Sequence, residues 1–362
     1  MVQGPSGCRV RGSTGMQGKI GVAGVLLAAI VAAAAAMAAP QSDDAYLRST
    51  IGLSAGDVKR VHAGEPVAAS LEGREGREIV TFGAVRIDRA PDDVLENLGR
   101  IDALRQGASV QQLGILSSPP HADDLSSFTL HPKSVASLKD CRIGDCGVQL
   151  PGWAVARFAH ATDSAVHTIA RTVALEIATA YLRGGHAALS PYEDRRPAVP
   201  PSEEYARVLG SDQYLPAPLT ALRHSLNGFP HRPARGVRDQ LFWTVVDFGM
   251  KPTFRLNHMA IASGPALDDP AGSMTGAVAT LQLMATHYFS STLEWHFVLR
   301  DRNDPSRAYL YYLARSWAPG MTGIRGRIAR FTVRSRAEEG ISAYLGATKQ
   351  RLEAATLPGA GR

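Results

Sequence analysis

Between residues 277 and 317 apolar and polar side chains alternate with a period of two. Odd positions carry Leu281, Leu283, His287, Phe289, Leu293, Trp295, Phe297 and Leu299, whereas even positions carry Thr280, Gln282, Thr286, Glu294, His296 and Arg300. Successive side chains leave a strand on opposite sides, so this alternation predicts strands with one buried and one wet face. A polar break, RDRNDPSR, precedes a third strand over 308–316. Further strands are predicted at 241–248, 254–261 and 327–334, and the short breaks between them favour consecutive antiparallel pairing.

The first half alternates less and turns helical. EIVTFGAVRID, residues 78–88, reads as a strand with Ile79, Thr81, Val85 and Ile87 on one side. Pro91 suits a first helical turn, Asp92 and Asp93 suit its positive end, and Val94, Leu95, Leu98 and Ile101 follow at helical spacing. Ser54 and Asp57 predict a helix cap. The same residues spell Gly52-Leu53-Ser54-Ala55-Gly56, but no apolar strand precedes them to build a nucleophile elbow. Residues 107–151 are irregular. Asp163 then caps the clearest helix, striped by Val166, Ile169, Ala170, Val173, Ile177, Ala180 and Tyr181 and stopped by Gly184-Gly185. His160 and His167 lie beside it as ordinary surface or hydrogen-bonded histidines. A proline-rich connection over 190–201 leads to short helical patches at 203–209 and 219–226. Near the end, Ser335-Arg336-Ala337-Glu338 reads as a capping box, followed by a helix whose Ala337, Ile341, Tyr344, Leu345 and Leu352 share a face. A long amphipathic helix after antiparallel strands buries its face across the sheet.

Composition places the fold in a compartment. With 362 residues, 45% apolar and 20% charged, the chain is globular, and one domain over 40–362 is expected. Residues 1–39 stand apart. Arg9, Arg11 and Lys19 occur there without an acid, an apolar run spans 20–38, and Ala36-Met37-Ala38 offers a small-x-small cleavage site. These are the parts of a secretory signal, with an uncleaved N-terminal anchor as the alternative and Met16 as an alternative start. The same three cations supply half of the net charge of +6. The exported remainder, periplasmic or secreted, has little reason to meet nucleic acid, and anionic lipid is the more available partner. In an oxidising compartment Cys141 and Cys146 are expected to form a local disulfide; a zinc pair, the rival, favours tighter spacing and a second pair. No P-loop, dinucleotide fingerprint, zincin or calcium-loop pattern occurs, so no cofactor or metal is expected.

GAVRIDRAPDDVLENL and RFTVRSRAEEGISAYLGATKQRLE resemble the opening strand and proline-started helix, and the last strand and gripping helix, of the START-like (polyketide cyclase, helix-grip) superfamily. The resemblance implies an α+β fold, with a curved antiparallel sheet gripped by the C-terminal helix and, here, a helical block inserted at about 152–230. It also implies a cavity for a lipid or other apolar molecule, used by a minority of members for cyclisation or dehydration. DCRIGDCGVQLP, FWTVVDFGMKPTF and LQLMATHYF are similar to stretches of an uncharacterised family of exported bacterial proteins.

Three functions follow as expectations. A ligand-binding protein would line its cavity with Leu281, Leu283, His287, Trp295, Phe297, Tyr309 and Tyr311, apolar with polar tips, although the same side chains also suit a solid core. A cavity enzyme would use His287 or His258, which share parity with apolar neighbours, with Glu294 as a further candidate. An envelope interaction module would rest on the basic run Arg325, Arg327, Arg330, Arg334 and Arg336, which equally suits a solvated strand face.

Overall fold

The alternation is realised as eight strands: β1 Val67–Leu71, β2 Glu78–Ile87, β3 Val110–Ile115, β4 Val237–Val246, β5 Thr253–Ser263, β6 Met274–Ala285, β7 Ser291–Arg300 and β8 Ala308–Trp317. They form one curved sheet in the order β1-β2-β8-β7-β6-β5-β4-β3, antiparallel throughout. The eight longer helices are α1 Ala55–His62, α2 Pro91–Leu98, α3 Pro132–Lys139, α4 Gly152–Phe158, α5 Asp163–Gly184, α6 Pro201–Leu209, α7 Thr220–Gly228 and α8 Gly323–Ala354. This is a computed structural model describing residues 43–354 except 107–108, 160, 211, 248–250 and 319–322. The leader, its cleavage site and His160 lie outside the described residues. Among those described, no helix is long and apolar enough to cross a membrane.

Local signals are met where expected. Ser54 Oγ accepts from the Asp57 amide at the start of α1. Pro91 occupies the first turn of α2. The long helix begins one residue earlier than Asp163 implies, because the Thr162 hydroxyl is the cap. Cys141 and Cys146 are joined by a disulfide.

Three expectations are corrected. Residues 327–334 are not a strand; they lie inside α8, which starts at Gly323, and Ser335 sits mid-helix rather than capping. Ile324, Ile328 and Phe331 satisfy helical spacing as well as Ala329, Phe331 and Val333 satisfy alternation, so the short run was ambiguous in period. The even face of the strands is not wet. Leu310, Val298, Val278, Ile261, Met259 and Phe242 pack there against Val94, Leu95 and Leu98 of α2 and Leu345 and Leu352 of α8. Finally, the helical block is no lid over a cavity roofed by α8. It covers the odd face, where Leu281, Trp295, Phe297 and Tyr311 join Tyr181, Tyr205, Leu222 and Leu226 in one core.

The sheet is therefore sandwiched, with helices on both faces. Two glycines allow close seating: a Cβ on Gly83 would stand 2.5 Å from Ile341 of α8, and one on Gly276 would stand 2.2 Å from Leu95 of α2. On the face the block covers, Arg315 on β8 is fully buried between Glu78 of β2 and Asp212, with Nη2 2.8 Å from Asp212 Oδ1.

Candidate functional site beneath the C-terminal helix

The even face of the sheet changes from apolar to polar at its centre. Thr292, Glu294 and His296 on β7, Thr280 and Gln282 on β6, and Asn257 on β5 are its polar residues, with Tyr312 on β8. Register brings them side by side: Tyr312 pairs with His296, Glu294 with Thr280, and Gln282 with Asn257. Tyr344 completes the cluster from α8, its hydroxyl 2.9 Å from His296 Nε2. The imidazole stands edge-on to both phenol rings, with centroids 4.9 Å from Tyr312 and 5.6 Å from Tyr344. Arg255 reaches from β5 across β6 to Glu294 on β7, at 2.7 Å.

Two polar atoms in this cluster are buried without a hydrogen-bond partner among the described residues: Asn257 Oδ1 and Arg255 Nε. Asn257 is only 1% exposed. A buried, unpaired amide oxygen costs roughly 1–3 kcal/mol, so packing gives no reason for an asparagine here.

Burial sets the protonation states. It pushes His296 down to about 4, with the Glu294 carboxylate pulling weakly the other way. It raises Tyr344 to about 12 and Tyr312 well above the ordinary phenol value, Glu294 adding to both. At neutral pH the site presents a neutral imidazole and two protonated phenols. A neutral imidazole touching a phenol can hydrogen-bond a polar guest group, or pass a proton.

No family model matches the chain, and no curated protein matches it. Among solved structures it is similar to the Zhui aromatase/cyclase from Streptomyces sp. R1128. The identity is 10%, the match covers 76% of this chain and 94% of that one, and the TM-score is 0.35.

Six of the predicted lining residues, Leu281, Leu283, Trp295, Phe297, Tyr309 and Tyr311, share one core, but the catalytic candidates do not join them in one site. Of the proposed lining, Leu281, Trp295, Phe297, Tyr309 and Tyr311 face away from α8. Tyr46 stacks on Tyr311 with centroids 6.1 Å apart and meets Phe82 and Phe297 edge-on, while His62 Nδ1 is 2.8 Å from the Tyr309 hydroxyl. Leu283 lines a separate cleft under α5. His258 is fully buried on the helical-block side, with Nδ1 2.8 Å from Tyr181 Oη and Nε2 2.8 Å from Asp239. His287 lies in the loop after β6, where strand parity has no meaning. Its Nδ1 is 3.0 Å from Thr286 Oγ1, and it borders a small cavity of about 30 Å³ with Phe128 and His131. Burial, assisted by Lys251, lowers its pKa to about 4. Only Glu294 belongs to the cluster. Among the described residues no group of three metal-ligating side chains occurs.

Sequence reasoning passed over Tyr312, Asn257 and Arg255, set His296 on the wet parity and read Tyr344 only as part of the apolar face of a helix. The signal was present in the even positions, which carry hydrogen-bonding side chains on neighbouring strands. It had no value while that face was assigned to water.

Proposed function

We propose that the protein binds a lipid or other apolar small molecule that carries one hydrogen-bonding group, on the sheet face bordered by α8. The observation that supports this reading is the buried, unpartnered Asn257 Oδ1 beside the His296–Tyr344–Tyr312 cluster. Apolar Met259, Ile261, Val278 and Leu310 next to it are packed under α2 and α8, so the body of the guest would enter by parting a helix from that core. A mostly apolar lining with a few convergent polar groups is how small-molecule sites are commonly built. Native mass spectrometry of the purified protein, followed by titration with the species released, tests the reading. Tyr344→Phe is expected to weaken that ligand about tenfold while the protein stays folded, as loss of one buried hydrogen bond implies. Absence of any retained or added apolar ligand would overturn it.

A second reading has its own support in the 2.9 Å contact between His296 and Tyr344. A neutral buried imidazole is poised to take a proton from a bound substrate, as a cyclase or dehydratase requires. In that case His296, in place of His287 or His258, carries the chemistry with Glu294 beside it. Turnover of the identified ligand that disappears in His296→Gln, with binding kept, would favour it.

A further inference from the structure

The opposite face of the sheet holds a cleft of about 440 Å³, within the range of roughly 300–1,000 Å³ that small-molecule sites occupy. Its existence follows from α5 having two stripes. Val173, Ala174, Ala178 and Tyr181 turn toward the sheet and are buried, and Ile177, also buried, sits between the stripes and reaches the cleft. Thr172, Leu175, Glu176, Thr179, Ala180 and Arg183, at spacings of three and four, turn toward the cleft. Three of these are small, so the helix stands back from the connection that follows it. The floor is Leu283 and Met284 at the bulge of β6, where Leu283 O accepts hydrogen bonds from both Tyr192 and Tyr205. The bulge is thereby held in place with its apolar side chains under the opening.

Charge at the cleft is asymmetric. Glu176 is neutralised by Arg157 at 2.7 Å, and that guanidinium lies 4.8 Å over the ring of Trp153, which walls the same end. Arg183 at the exposed rim has no acidic partner among the described residues. An apolar floor under a rim with one unmatched cation fits a guest with an apolar body and a single negative head.

We propose that this cleft is a second binding site, taking an amphipathic carboxylate whose apolar body lies on Leu175, Ala180, Leu283 and Met284 and whose head meets Arg183. It lies on the far side of the sheet from the α8 site and does not depend on that site being occupied. The test is calorimetric titration of the full-length protein with dodecanoate below its micelle concentration, with dodecyltrimethylammonium as the probe of reversed charge. Dodecanoate is expected to bind at one equivalent and the cation at least tenfold more weakly. Arg183→Gln is expected to weaken dodecanoate about tenfold, the loss of one charge-assisted contact. Ala180→Phe and Thr172→Trp, which fill the cleft at two points roughly 12 Å apart along α5, should each abolish binding. Arg183→Gln, at an exposed position, keeps the test informative should a filling variant fail to fold. No binding of dodecanoate, equal binding of the cation, or affinity unchanged in Arg183→Gln would overturn the proposal. Loss of dodecanoate in Tyr344→Phe with Ala180→Phe unaffected would also overturn it, and would assign the ligand to the α8 site.

Discussion

His296 and Asn257 show how one side chain can matter against its local cost. The folded protein holds the His296 imidazole near 4, below the ordinary 6.5 of the unfolded chain. As pH falls through 6.5 the unfolded chain takes up a proton that the folded one refuses. Stability is therefore full above 6.5 and declines until pH reaches about 4, by up to roughly 3 kcal/mol for this group. His287 is shifted in the same direction by its own burial and adds a similar decline. Urea unfolding at pH 7, 5.5 and 4 should show about half the wild-type decline in His296→Gln, and an unchanged decline would show that His296 is not held neutral. Asn257→Leu offers the reverse comparison. Removing an unpaired buried amide should stabilise the fold by about 1 kcal/mol or leave it unchanged, while weakening the α8-site ligand. His287 stood out in the chain, but Asn257 did not and His296 was set on the wet parity, since histidine or asparagine on a strand acquires meaning only from what lies over it.

At the scale of elements, helix seating and loop closure can be tested separately. Gly83→Val places methyl groups where Ile341 and Leu345 already lie and should destabilise the protein by about 1–3 kcal/mol, lifting α8. A melt unchanged from wild type would contradict the seating of that helix on β2. Replacing Cys141 and Cys146 by alanine should cost about 2 kcal/mol, the chain-entropy value for so short a loop, without altering either ligand. Most element types were legible beforehand: the strands from β4 to β8 by alternation, α5 by its stripe, α1 by its cap, and α2 by Pro91 and its apolar spacing. The start of α8 was not, because Ala329, Phe331 and Val333 recur in twos while Ile324, Ile328 and Phe331 recur in fours and threes. Short β1 and β3 carried too few residues to declare a period.

For the whole molecule, the ion pairs of Arg315 tie the sheet to the chain on its helical-block side. Arg315 is 2% exposed between Glu78 and Asp212. Arg315→Met should destabilise by about 3–5 kcal/mol, because two buried carboxylates lose their cation; Glu78→Gln with Asp212→Asn in the same chain should recover part of that loss. Thermal or urea unfolding reads both variants. We further propose, from residues 1–39, that the chain is exported; N-terminal sequencing of the protein recovered from outside the cytoplasm would show a start near Ala39 if the leader is removed.

Alternation, helical stripes and caps act between residues a few positions apart, so the sequence by itself determined an antiparallel sheet, a helical block, a long closing helix and the pairing of two nearby cysteines. It also determined which strand residues share a side. Which side meets which helix depends on contacts between segments far apart in the chain, and only the tertiary structure decided that. With α8 on the even face and the helical block on the odd face, Leu281, Trp295, Phe297 and Tyr311 became core. The same choice gave the polar row of Asn257, Glu294, His296 and Tyr312 its partner in Tyr344.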